Sequence, residues 1–108
     1  MDIVSSNIAR AREAAAMTER EFAAQVVELA LALDWTVFRT WRSDHSPAGE
    51  PDLRMCRPPR YIVAELKTQR GKLTPLQEQA FMLLSQCRGI ETYVWRPSQL
   101  EEIAEVLR

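Results

Sequence analysis

Asp52, Glu65 and Lys67 are the residues of this sequence best suited to act together chemically. They flank the segment Arg57-Pro58-Pro59-Arg60, whose prolines cannot donate ladder hydrogen bonds and so suit a turn. With residues 57–60 as the turn between two antiparallel strands, Cys56 faces Tyr61 and Asp52 lies directly opposite Glu65. Directly opposed residues have Cβ atoms roughly 4.5–5.5 Å apart. Alternation puts Leu53, Met55, Ile62, Ala64 and Leu66 on one apolar face, and Asp52, Glu65 and Lys67 on the other. Two carboxylates this close repel, so either one is protonated or a cation sits between them. Oxygen ligands of this kind favour Mg²⁺ or Mn²⁺, commonly held by one or two carboxylates together with substrate phosphate. Lys67 beside such an ion could hold an attacking water or stabilise charge growing on a phosphate.

The elements that must position these residues follow from local signals. Asn7 to Ala16 is rich in Ala and Arg and reads as a helix or a partly ordered arm. Thr18 followed by Glu21 is a capping box, and Phe22, Val26, Leu29 and Leu33 then recur at helical spacing. Trp35 to Trp41 is aromatic and β-branched, hence a strand, and Ser43 to Pro51 is a loop. The hairpin strands run from about Asp52 to Cys56 and from Tyr61 to Lys67, with a polar loop from Gln69 to Leu73. Thr74-Pro75-Leu76-Gln77 opens a helix with a cap, a proline and a second capping box; it runs to about Arg88, where Gly89 suits a left-handed cap. Glu91 to Trp95 is a strand, and Ser98 with Glu101 is expected to cap a last amphipathic helix. The order αβββαβα predicts an α/β fold, a mixed sheet flanked by helices. Residues 1–17 form an N-terminal helical arm in this scheme, and residues 18–108 the domain proper.

Composition narrows the chemistry further. The chain has 108 residues, of which 46% are hydrophobic and 27% charged, as in an ordinary single globular domain. Its start lacks a charged-then-apolar signal pattern and its most apolar stretch, Val26 to Leu33, is broken by Glu28, so a cytoplasmic protein without a membrane span is expected. Cys56 and Cys87 are the only cysteines and His45 the only histidine, which argues against zinc sites, disulfide frameworks and histidine triads; both thiols are expected to be buried and reduced. The net charge is −1, yet Arg54, Arg57, Arg60, Lys67, Arg70 and Lys72 face a single acid, Glu65, between positions 54 and 72. That stripe suits contact with phosphates. His45 is a candidate for phosphate contact or proton shuttling, with a solvated loop histidine the simpler reading. Trp35, Trp41 and Trp95 could stack on bases, although core packing is their default role.

The segments Gly49-Glu50-Pro51-Asp52-Leu53, Ala64-Glu65-Leu66-Lys67-Thr68 and Leu73-Thr74-Pro75-Leu76-Gln77 together resemble the PD-(D/E)xK nuclease superfamily. Within it the chain looks like the virus-type replication-repair nuclease family (VRR-NUC), over most of its length from about Thr18 to Ser98. The resemblance implies a restriction-endonuclease-like fold with an αβββαβ core. It implies metal binding by Asp52 and Glu65 with the carbonyl of Leu66 as a further ligand, a catalytic role for Lys67 and a supporting one for Gln77. A glutamate of the first helix would complete the site. Glu19 is preferred over Glu21, because it lies at the edge of the buried stripe while Glu21 points away. Gln77 is equally expected as the third helical residue of the Thr74 capping box. The chain departs from the family where Glu50 replaces an apolar residue, Asp34 replaces a glycine and Ala23 replaces a glutamine.

These features lead to the expectation of a Mg²⁺- or Mn²⁺-dependent DNA endonuclease, selective for junctions, flaps or ends, serving phage or bacterial replication and repair. Arg54, Arg57, Arg60, Arg70 and Lys72 would hold the DNA backbone without reading sequence, and a homodimer would present two sites to a branched substrate. The alternative, favoured by Glu50 and the low net charge, is a catalytically silent nuclease-fold module that binds DNA or a partner protein.

Overall fold

The computed structural model describes residues 3–39 and 49–108. Trp41, His45 and most of the Ser43–Pro51 loop lie outside them. Two helices come first, α1 (Ile3–Ala16) and α2 (Glu19–Ala32), followed by β1 (Thr36–Arg39), β2 (Leu53–Arg57) and β3 (Arg60–Leu66). Then come α3 (Pro75–Ser85), β4 (Ile90–Trp95), a 3₁₀ turn (Pro97–Gln99) and α4 (Leu100–Leu107). The four strands form one mixed sheet in the order β1-β2-β3-β4, antiparallel except for the parallel β3–β4 pair.

The hairpin register is the one its prolines require: Cys56 pairs with Tyr61, Met55 with Ile62 and Leu53 with Ala64. The ladder also closes Arg57 onto Arg60, so the turn proper is Pro58-Pro59, one pair tighter than a four-residue turn. Leu53, Met55, Ile62, Ala64 and Leu66 are all buried and pack with Phe22, Val26 and Ala30 of α2 and with Ile103 and Leu107 of α4. On the opposite face of β3, Val63 and Glu65 are buried as well.

Thr18 caps α2, its hydroxyl accepting from the Glu21 N–H, but the reciprocal bond from the Glu21 side chain is not made. A carboxylate in the first turn already interacts favourably with the helix dipole without it. After α2 the chain reverses through Asp34, whose φ of 68° is left-handed. Asp is among the few residues other than glycine that tolerate the conformation.

Three features differ from the sequence expectation. α3 ends at Ser85 rather than near Arg88, and a turn leads to Gly89 at φ 80°. Ser98 does not cap α4: the 3₁₀ turn intervenes, the Gln99 side chain accepts from the Arg96 N–H, and the Ser98 N–H donates to Gln69 Oε1. Proline in the first turn together with this side-chain bond favours the tighter winding. Finally, Cys87 is exposed rather than buried, beyond the end of α3 where no described element covers it; Cys56 is half-buried and both thiols are free. No described helix is long and apolar enough to cross a membrane.

Candidate active site

Asp52 sits one residue beyond the β2 ladder, at the open end of the hairpin. Its Oδ2 accepts from the Leu66 N–H at 3.0 Å, and its own N–H donates to Glu65 Oε2 at 3.3 Å. Its side chain thus takes the place of a main-chain partner on β3. This fixes the carboxyl beside Glu65, as the cross-strand register anticipates. Gly49 makes the approach possible: a Cβ there would lie 2.5 Å from the Leu76 carbonyl oxygen, and φ is 84°. The chain entering the site therefore lies flat against the first turn of α3.

Glu65 is only 1% exposed. Its Oε1 accepts from Gln77 Nε2 at 3.0 Å and lies 3.8 Å from Lys67 Nζ, while Oε2 takes the Asp52 N–H. Burial pushes the Glu65 carboxyl up to about 8; a hydrogen bond with Asp52 and the charge of that residue add to the shift, and Lys67 opposes it. The shift favours the protonated form of Glu65 when no metal is bound, one of the two remedies for opposed carboxylates. A buried acid of this kind, with a specific charged neighbour, is a mark of a functional site.

Glu19, Arg20 and Ala23 of α2, Arg39 at the end of β1, Asp52 and Leu66 line a cleft of about 310 Å³. Glu19, not Glu21, lines it together with Asp52, in keeping with its place at the edge of the buried stripe. Arg20 and Arg39 were not expected here. Nothing in the sequence marks them; the antiparallel pairing of β1 with β2 sets Arg39 opposite Leu53, next to Asp52.

The basic residues of the hairpin separate into two groups. Arg57 and Arg60 lie at the turn, the opposite end from Asp52 and Glu65, and both are engaged within the fold. Arg57 donates to the carbonyls of Leu33, Leu107 and Arg108 and stacks on Trp35 with 4.7 Å to the ring centroid. Arg60 forms a two-point ion pair with Glu91 (2.7 and 2.8 Å) and covers Trp35 from 5.0 Å. Arg54, Arg70 and Lys72 are exposed, and no ion pair occupies them among the described residues. The loop carrying Arg70 is held by Arg96, whose guanidinium donates to the carbonyls of Thr68 and Gly71. Trp35 and Trp95 are buried, with Trp95 stacked on Tyr93 at 5.1 Å, so neither is a platform for bases.

A divalent ion fits the donors present. Asp52 and Glu65 offer two adjoining carboxyls with hard oxygen atoms, and Lys67 stands on the far side of Glu65. No group of three or more His, Cys, Asp and Glu side chains is placed to hold a metal among the described residues. Main-chain carbonyl, water and phosphate oxygens would complete the shell. Comparison of the chain with family models, with curated proteins and with solved structures gave no match.

Proposed function

We propose that this chain is a Mg²⁺- or Mn²⁺-dependent DNA endonuclease with a PD-(D/E)xK-type, VRR-NUC-like site, hydrolysing phosphodiester bonds in phage or bacterial replication and repair. The observation that carries the reading is the buried Glu65 carboxyl set against Asp52, with Lys67 Nζ 3.8 Å from its Oε1. Asp52 and Glu65 would hold the ion, with the Leu66 carbonyl as a further ligand. When bound, the ion supplies Lewis-acid polarisation of the phosphate and a lowered pKa for its water. Gln77 orients Glu65 through its amide, and Lys67 brings positive charge to where the leaving oxygen and non-bridging oxygens gain negative charge. Glu19, which lines the same cleft as Asp52, would accept a proton from a water approaching Asp52. Exposed Arg54, Arg70 and Lys72 would contact the backbone.

Selectivity for junctions, flaps or ends, and action as a homodimer, belong to the same proposal. For the dimer the support is α3, which has no buried residue and exposes Leu76, Met82 and Leu83.

The test is cleavage of supercoiled and branched DNA in Mn²⁺ by the wild type and by Lys67→Ala. Cleavage by the wild type that Lys67→Ala loses is expected; undiminished cleavage by the variant overturns the mechanism. One observation favours a silent binding module instead. Each oxygen of Glu65 already accepts a hydrogen bond, Oε1 from the Gln77 amide and Oε2 from the Asp52 N–H, so the carboxyl is satisfied without an ion. Calorimetric titration with Mn²⁺ separates the readings, since a silent site shows no binding that Glu65→Gln removes.

A further inference from the structure

We propose that Arg20 and Arg39 form a phosphate subsite, so that DNA runs through the cleft between α2 and the end of β1 rather than over the hairpin turn. The inference rests on the nuclease reading and identifies the path of its substrate.

Four charged side chains line the cleft, Glu19 and Asp52 beside Arg20 and Arg39. Were the arginines present to neutralise the carboxylates, ion pairs would join them. None does, and neither arginine meets another acid among the described residues. Among the described residues, two cations thus stand without an ion pair in a concave site, on separate elements, with their approach fixed by α2 on one side and by the Arg39–Leu53 register on the other. Arg20 adds an energetic argument. It occupies the first turn of α2, where the helix dipole opposes positive charge, so this guanidinium does not stabilise its helix. An anion in the cleft turns that unfavourable placement into a favourable one, because a guanidinium presents paired donors to phosphate oxygens. Arg57 and Arg60, by contrast, already spend their donors on main-chain carbonyls and on Glu91. The cleft volume of about 310 Å³ is that of a pocket for one small group, which suits a phosphodiester entering beside the carboxylates.

The experiment is fluorescence anisotropy of a fluorescein-labelled DNA duplex, titrated with metal-free protein across a range of salt concentrations. The proteins are the wild type, the double variant Arg20→Ala/Arg39→Ala, its lysine counterpart Arg20→Lys/Arg39→Lys, and Arg12→Ala/Arg88→Ala as a control of equal charge. All four positions are exposed, and matching thermal unfolding verifies the folds. The cleft double variant is expected to bind about 10- to 100-fold more weakly, with a salt slope shallower by about 2, one per phosphate contact. The lysine variant keeps most of the slope and the control keeps affinity. Equal affinities and slopes for the cleft variant and the control overturn the subsite. If that result accompanies cleavage that depends on Lys67, the nuclease reading survives alone. Binding through Arg20 and Arg39 without cleavage leaves the subsite and removes the nuclease. A wild type that binds no DNA overturns both.

Discussion

Gln77 is engaged at both ends of its side-chain amide: its Oε1 accepts from the Thr74 N–H at 2.9 Å, and its Nε2 donates to Glu65 Oε1 at 3.0 Å. Helix cap and buried carboxyl therefore share one residue, and the first turn of α3 is tied to β3 through it. Gln77→Ala loses both bonds and is expected to lower stability by about 1–2 kcal/mol. Gln77→Glu keeps an acceptor for Thr74 but sets a third carboxylate against Glu65. Its deficit should be largely removed by Mn²⁺, whereas that of Gln77→Ala should not. Urea unfolding with and without Mn²⁺ measures the difference, and equal responses would contradict the shared role.

Glu65 makes the metal-free fold sensitive to pH. Its carboxyl titrates at about 8 in the fold against an ordinary value of 4.5, chiefly because of burial. The folded chain therefore holds a proton that the unfolded chain releases. The resulting stability is fully present below 4.5 and is lost as pH rises through 8. Glu91 works the other way: the hydrogen bond from Arg60 lowers it, so its contribution is present above 4.5 and is lost as pH falls through its lowered value. Between 4.5 and 8 the urea midpoint of the metal-free protein should fall, and Glu65→Gln should flatten the profile. Mn²⁺ must displace the same proton, so its affinity should rise with pH across that window.

Glu19 and Glu21 should separate in a cleavage assay. Glu19 lines the cleft with Asp52, while Glu21 is an exposed residue outside it. Glu19→Gln is expected to reduce cleavage about 10- to 100-fold, the range for a group supporting a metal site. Glu21→Gln should leave the rate nearly unchanged. The opposite ranking would move the fourth acidic residue to Glu21.

Arg57→Ala should act on stability rather than on DNA. It removes the donor that ties the Leu33, Leu107 and Arg108 carbonyls together and uncovers one face of Trp35. Bonds from a charged donor contribute about 1.5–3 kcal/mol, so a loss of about 2–3 kcal/mol is expected by chemical denaturation. DNA affinity measured on the folded fraction should stay close to that of the wild type.

The exposed apolar side chains of α3 give the dimer its own check. Met82 is 64% and Leu83 61% exposed. Met82→Glu should convert a dimer to a monomer in light scattering without lowering thermal stability at equal monomer mass. A monomeric wild type would remove the dimer from the proposal.

The central pair and its caps were legible in the sequence because short-range rules decide them. Two prolines fix a turn, the turn fixes the hairpin register, and the register puts Asp52 beside Glu65; Thr74 and Gln77 meet because helical residues three apart are neighbours. The uses of the arginines were not legible. Arg57 and Arg60 belong to a dense basic stretch, and nothing local says that the chain end and Glu91 will come to meet them. Arg20 and Arg39 are ordinary in sequence and reach one cleft only because α2 packs across the sheet. A charge pattern counts charges along the chain, but which cation meets which anion depends on contacts between distant segments. The sequence by itself thus determined the carboxylate pair. Tertiary packing alone decided which positive charges stand beside it.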